Sequence, residues 1–171
     1  MLTSSNKERL EQEIANLIRF ISDGREFFFK KTGLNRNSSD DFLNHWKSKE
    51  LFQTHLELRQ LELNIQLFYI KLSSYYKLLS NAKDRSLKKQ RNAFAHELTD
   101  LIFDKRAKYN FFLHKVSQNF KKIQFVFYEE NPPDEEDFTR TLELDLDKDI
   151  NDFIKVWTNN SPSTTIQPES V

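Results

Sequence analysis

Apolar side chains recur three and four residues apart over most of the chain, the spacing of helices with one covered face. Leu10, Ile14, Leu17, Ile18 and Ile21 form the first such run, and Ser5 with Glu8 fits a capping box at its start. Gly24 is expected to weaken or bend this helix near its middle. Phe27, Phe28 and Phe29 are too apolar to be wholly exposed; they read as core, with a dimer surface as the alternative. Lys30 to Ser39 holds Gly33 and an Asn/Ser cluster and reads as a loop. Ser39, Asp40 and Asp41 are placed as the cap of a short structural helix bearing Phe42, His45 and Trp46. The longest helix is expected over Ser48 to Leu79, where Leu51, Phe52, His55, Leu58, Leu61, Ile65, Phe68, Leu72 and Tyr75 keep the helical interval. His55 is read as a partly buried spacer. Leu56, Leu63, Leu67 and Ile70 widen the apolar face, so both sides of that helix are expected to be covered.

Asn81 and Asp84 break and restart the chain. Asp84 to Asp104 lacks Gly and Pro and is dense in helix formers. At roughly 100° per residue, Leu87, Phe94, Leu98 and Leu101 share one core stripe. Tyr109 to Lys122 reads as a further helix through Phe111, Phe112, Leu113, Val116 and Phe120. The period then changes to two. Ile123 to Tyr128 and Thr139 to Leu146 alternate around an acidic, Pro-containing turn, which predicts a small antiparallel hairpin over residues 123–146. Asp147 is placed as the cap of a last helix through Ile150, Phe153, Ile154 and Trp157. The pattern gives a mainly α fold, an up-and-down helical bundle with that hairpin near the C-terminus. It forms one domain over residues 1–158, and the Ser/Thr/Pro-rich stretch 159–171 is expected to be a disordered tail.

Composition narrows the chemistry. Sixteen Phe, five Tyr and two Trp in 171 residues supply the bulk of a core, while two Gly and four Pro favour long helices over a turn-rich β fold. The absence of Cys removes disulfides, thiolate metal sites and a Cys nucleophile. The polar start MLTSSNKERLEQE lacks the apolar run of a signal peptide, and no segment approaches the roughly 20 apolar residues of a membrane span. A cytoplasmic protein is expected, without a membrane partner. Net charge is zero but segregated: residues 71–122 hold thirteen Lys and Arg against four Asp and Glu, and residues 123–171 hold three against twelve. The middle third is the part that can meet phosphate.

Candidate metal and nucleophile sites fail on spacing. Asp145-Leu146-Asp147-Lys148-Asp149 opens like a calcium loop, but Ile150 and Val156 stand where Gly and Glu are required. The histidines at 45, 55, 96 and 114 show no paired metal spacing, and there is neither a Gly-rich phosphate loop nor a Gly-x-Ser-x-Gly elbow. No metal and no cofactor are expected.

One sector of the 84–104 helix differs from an ordinary solvated face. Arg85, Lys88, Arg91, Asn92, Ala95, His96 and Thr99 gather there. Within it, Arg91-Asn92-Ala93-Phe94-Ala95-His96 resembles the signature of HEPN-domain proteins, many of them metal-independent ribonucleases: Arg, a polar residue, three residues, then His. The resemblance implies an all-helical bundle that dimerises so that two copies of the motif face each other. It also implies an endoribonuclease leaving a 2′,3′-cyclic phosphate, with toxin or antiphage defence as the cellular role and an antitoxin or regulatory protein as a further partner. The HEPN toxins paired with nucleotidyltransferase antitoxins place Tyr two residues after the His; Leu98 stands there in this chain.

The residues suit such chemistry. His96, with an ordinary pKa near 6.5, can act as acid or base at neutral pH. Arg91 can grip two phosphate oxygens, and Asn92, four residues before His96, can orient the imidazole or the substrate. Arg91 and His96 stand roughly 140° apart around the helix and about 7.5 Å apart along it, so one helix makes half a site. A second copy packed across the small residues Ala95 and Thr99 would complete it, with Arg85, Lys88 and Lys89 leading RNA inward. The competing reading is a non-catalytic HEPN-like dimer that recruits a partner through the same face.

Overall fold

The computed structural model describes residues 4–34, 36–37, 42–43, 45–81, 83, 85, 87–88, 90–95, 109–129 and 140–160. The fold is mainly α with a small three-stranded antiparallel sheet toward the C-terminus. Helices α1 (Ser4–Thr32), α2 (His45–Thr54) and α3 (Leu56–Leu78) come first. Strands β1 (Tyr109–Val116), β2 (Lys122–Glu129) and β3 (Arg140–Asp145) form the sheet in that order, and α4 (Leu146–Asn160) closes the described chain.

Helix α1 buries Ile14, Ile21 and Phe28, one residue every two turns, against Leu58, Leu61, Ile65, Phe68 and Leu72 of α3 and the rest of the core. The pair is antiparallel, since Glu13 meets Lys71 near one end and Phe27 meets His55 near the other. Gly24 does not interrupt α1, which runs on to Thr32. It is where α3 comes closest: a Cβ at Gly24 would lie 2.9 Å from both Cβ and Cδ1 of Leu61. Leu61 Cβ is tied to the backbone and has little room to retreat. Gly24→Ala gains about 1 kcal/mol of helix propensity but incurs an overpacking penalty of about 1–3 kcal/mol. It is expected to lower the urea midpoint, and to raise it when Leu61→Gly, which removes that Cβ, is already present, a reversal that a double-mutant cycle reads directly.

Two helix ends illustrate how left-handed residues terminate them. Gly33 (φ 66°) returns its N–H to Phe29 O at the end of α1. At the end of α3, Ser80 (φ 53°) takes the place usually given to Gly, and Asn81 N donates to Tyr76 O across the same turn.

The single helix expected over 48–79 is two. His55 adopts an extended conformation (φ −111°, ψ 117°) and separates α2 from α3. Its carbonyl accepts from Leu58 N and Arg59 N, and its ring meets Phe27 edge-on at 6.2 Å. A one-residue break leaves three- and four-residue spacing intact, which is why the periodicity runs through it. Nor is the second side of α3 fully covered: Leu56 is 77% exposed and Leu63 40%. Phe42 is not helical; it bridges Ser117, and Leu43 N donates to Val116 O at 3.0 Å. The proposed cap at Ser39–Asp41 and the side chains of His45 and Trp46 lie outside the described residues.

The largest departure is β1, expected as a helix and found as a strand paired with β2. Leu113, Val116, Ser117 and Phe120 are all buried, at intervals of three, one and three that imitate a helical face. The cause is a register irregularity between Leu113 and Lys115, followed by a tight turn with Phe120 at φ 57°. Ser117 holds that turn: its hydroxyl accepts from Lys121 N (3.1 Å) and Lys122 N (3.0 Å). The Phe120 ring enters the core between Phe28 (4.8 Å, edge-on) and Phe52 (6.3 Å).

The expected hairpin is present as β2 and β3, where Ile123 faces Leu144 and Phe125 faces Leu142, all four buried. Helix α4 is capped by Asp145, whose Oδ1 accepts from Lys148 N at 3.1 Å, and not by Asp147 as expected. It buries Phe153 edge-on against Tyr75 and continues to Asn160, past the expected start of the tail. The rest of the tail and the acidic turn over 130–139 lie outside the described residues.

Candidate nucleic-acid interface

The motif segment is helical at 83, 85, 87 and 88 and throughout 90–95. Its inner side is apolar: Leu87, Ala93 and Phe94 are buried. Phe94 is fully buried, 5.9 Å from the Tyr69 ring of α3 and edge-on to Phe125 of β2 at 5.1 Å. Two elements distant in sequence thus grip the segment and set its rotation. Asn92 and Lys88 stand roughly 120–200° around from Phe94, and both are exposed, as is Arg85.

Arg91 is half-buried at the edge of that outer side. Its Nε and Nη2 donate to Asn92 Oδ1 at 3.2 and 3.1 Å. A neutral amide therefore holds the guanidinium edge that would grip a phosphate, without cancelling its charge. Ala95 is half-buried. His96 and Thr99, together with Lys89, Leu98 and Leu101, lie outside the described residues. Arg91 and Asn92 are brought together; the expected reach of Asn92 to His96 and the packing of a second copy across Ala95 and Thr99 belong to the proposal below.

The first two turns of α4 carry a set of polar contacts that the sequence pattern does not mark. Lys83 Nζ donates to Asp152 Oδ2 at 2.6 Å, Tyr69 OH to Asp149 Oδ2 at 2.7 Å, and Arg25 Nη1 to Asp147 Oδ1 at 2.6 Å. Three aspartates in the first two turns of α4, beyond the capping Asp145, are more than one cap requires, and that surplus was the available signal. Among the described residues no group of three metal-ligating side chains occurs. Nor is any described helix long and apolar enough to cross a membrane.

Two of these carboxylates titrate in opposite senses. Burial pushes Asp149 above its ordinary value, although the hydrogen bond from Tyr69 pulls the other way. The hydrogen bond from Lys83 holds Asp152 below its ordinary value. A raised carboxyl favours the fold below the ordinary carboxylate range and loses that contribution as pH rises through the folded value. Asp152 contributes at neutral pH and loses its contribution on acidification. Asp149→Asn keeps an acceptor for Tyr69 without the desolvated charge. It is expected to raise stability at neutral pH, with the gain shrinking toward about pH 4; urea titrations at both pH values measure this.

Comparison with protein-family models, curated proteins and solved structures finds no match to the chain.

Proposed function

We propose that the chain is a HEPN-like endoribonuclease that works without a metal as a cytoplasmic homodimer, in toxin or antiphage defence. The observation that supports this reading best is the Arg91–Asn92 pair, on a helical segment fixed by Phe94 and flanked by exposed Arg85 and Lys88. In the reaction the RNA 2′-oxygen attacks the adjacent phosphorus, the P–O5′ bond breaks, and a 2′,3′-cyclic phosphate and a 5′-hydroxyl result. His96 moves the proton from the nucleophile or to the leaving oxygen. Arg91 exchanges Asn92 for phosphate oxygens and stabilises the added negative charge. Arg85, Lys88 and Lys89 attract the flanking phosphates, so affinity should fall with salt. No step needs a cofactor.

Incubating the purified chain with end-labelled RNA in excess chelator tests this. Cleavage to fragments with cyclic phosphate ends supports the nuclease. A second reading, a non-catalytic dimeric scaffold, is favoured by the exposed Leu56 and Leu63 on α3. No cleavage of any RNA, with a stoichiometric complex formed with an antitoxin or other regulatory protein, would establish the scaffold in its place.

A further inference from the structure

Among the described residues only one of the two outer edges of the sheet is covered. Along β1, the Leu113 N–H donates to Glu62 Oε1 at 3.2 Å, and the Val116 carbonyl accepts from Leu43 N at 3.0 Å. On the far side of β2, Leu146 N donates to Lys121 O at 2.9 Å, just past the end of β3. Hydrogen-bonded pairs alternate along an antiparallel ladder, so Leu144 and Leu142 are the residues that bond Ile123 and Phe125 of β2. Thr141 and Glu143 alternate with them and turn their backbone N–H and C=O groups outward. Among the described residues nothing meets that outer edge of β3.

An unpaired strand edge is a template for a further strand, and the side chains beside it set the chemistry of the occupant. Glu143 and Asp145 are exposed on one face of β3, whereas Leu142 and Leu144 are buried on the other. A hollow of about 320 Å³ lies beside the edge, lined by Phe42, Lys122, Ile123, Glu143, Leu144 and Asp145. Its two carboxylates outnumber its one cation, and Phe42, 43% exposed, offers an aromatic ring to another. Glu143 Oε1 accepts from Gln124 Nε2 and Asp145 Oδ1 from Lys148 N, so each carboxylate has a second oxygen to offer. A second copy of β3 would set these acidic side chains against each other, which is unfavourable across a strand pair. A basic strand gains where a second copy loses.

We propose that the outer edge of β3 binds an extended segment of a partner protein, added antiparallel, with basic residues facing Glu143 and Asp145 and apolar residues between them. The inference is independent of the RNA chemistry. The probe is the capped peptide Lys-Val-Lys-Val-Lys-Val-Lys, titrated into the full chain and followed by NMR. Saturable shifts are expected at Glu143, together with slower hydrogen exchange of its amide. In an antiparallel pair the residue that bonds Glu143 lies opposite it and shares its face, so the lysines carry the bonding N–H groups. A peptide N-methylated at its lysines is therefore expected to bind about tenfold more weakly or worse, and one N-methylated at its valines to bind as the unmethylated peptide does. The peptide with Glu in place of Lys should fail, and Glu143→Lys in the chain should weaken the basic peptide about tenfold; circular dichroism establishes that this variant is folded. The proposal is overturned if the basic peptide gives no saturable shift at Glu143, if the two methylated peptides behave alike, or if the acidic peptide binds as well. It is also overturned if folded Glu143→Lys binds the basic peptide as the parent does.

Discussion

Arg91→Ala and His96→Ala are each expected to slow RNA cleavage by about 10²–10⁴-fold under single-turnover conditions. Arg91 is only half-buried, and Phe94 and Leu87 make the packing contacts of the segment, so circular dichroism of Arg91→Ala should remain that of the parent; the same measurement establishes that His96→Ala is folded. Asn92→Asp distinguishes the role of the amide. A carboxylate at the position of Oδ1 would hold Arg91 as an ion pair and oppose phosphate, so its loss of rate should exceed that of Asn92→Ala. The dimeric nature of the site has its own readout. If each site takes Arg91 from one copy and His96 from the other, a mixed dimer of the two dead variants holds one intact site. Equal mixing should then restore about a quarter of the parent activity. No recovery after subunit exchange would mean that both groups act within one chain, and the shared-site proposal would be lost.

Phe94→Ala is expected to cost about 3–5 kcal/mol, the range for deleting a large buried aromatic. A domain of this size has roughly 5–15 kcal/mol in total, so the loss is a large share. The ring is fully buried and touches both Tyr69 and Phe125, and alanine would leave both without a partner on that side. Urea denaturation followed by circular dichroism measures the shift in midpoint. Phe94→Leu, which keeps most of the volume, should lose much less. Because Phe94 also sets the rotation of the segment, Phe94→Leu should slow cleavage more than its stability change accounts for. A rate that merely tracks the folded fraction would remove that positioning role.

The legible part of the fold was the part whose periodicity had one cause. Ile14, Ile21 and Phe28 on α1, and Leu58, Ile65 and Leu72 on α3, are buried as their spacing required. The alternation at Ile123 and Phe125, opposite Leu142 and Leu144, gave the hairpin. Misreadings arose where one interval has two physical origins. Leu113, Val116 and Phe120 keep helical spacing because a register irregularity and a left-handed residue reset a strand. His55 leaves the helix without leaving the interval. Gly24 was weighed as a helix breaker, but its role is a close approach that depends on Leu61, a residue thirty-seven positions later. In the site, the proximity of Arg91 and Asn92 followed from sequence adjacency; the use of the amide to hold the guanidinium did not. The Arg25–Asp147 ion pair was not legible at all, because its two members come from opposite ends of the chain and no local pattern marks them.

The β1–β2 turn has a consequence for how the protein is made. Phe28 and Phe52 leave the ribosome long before Phe120 does, yet the three rings share one packing site. Until that turn is synthesised, the helical hairpin of α1 and α3 stands with an open apolar socket at one end. Nascent chains stalled before residue 120 should therefore bind hold-type chaperones, and release should coincide with emergence of the turn from the exit tunnel.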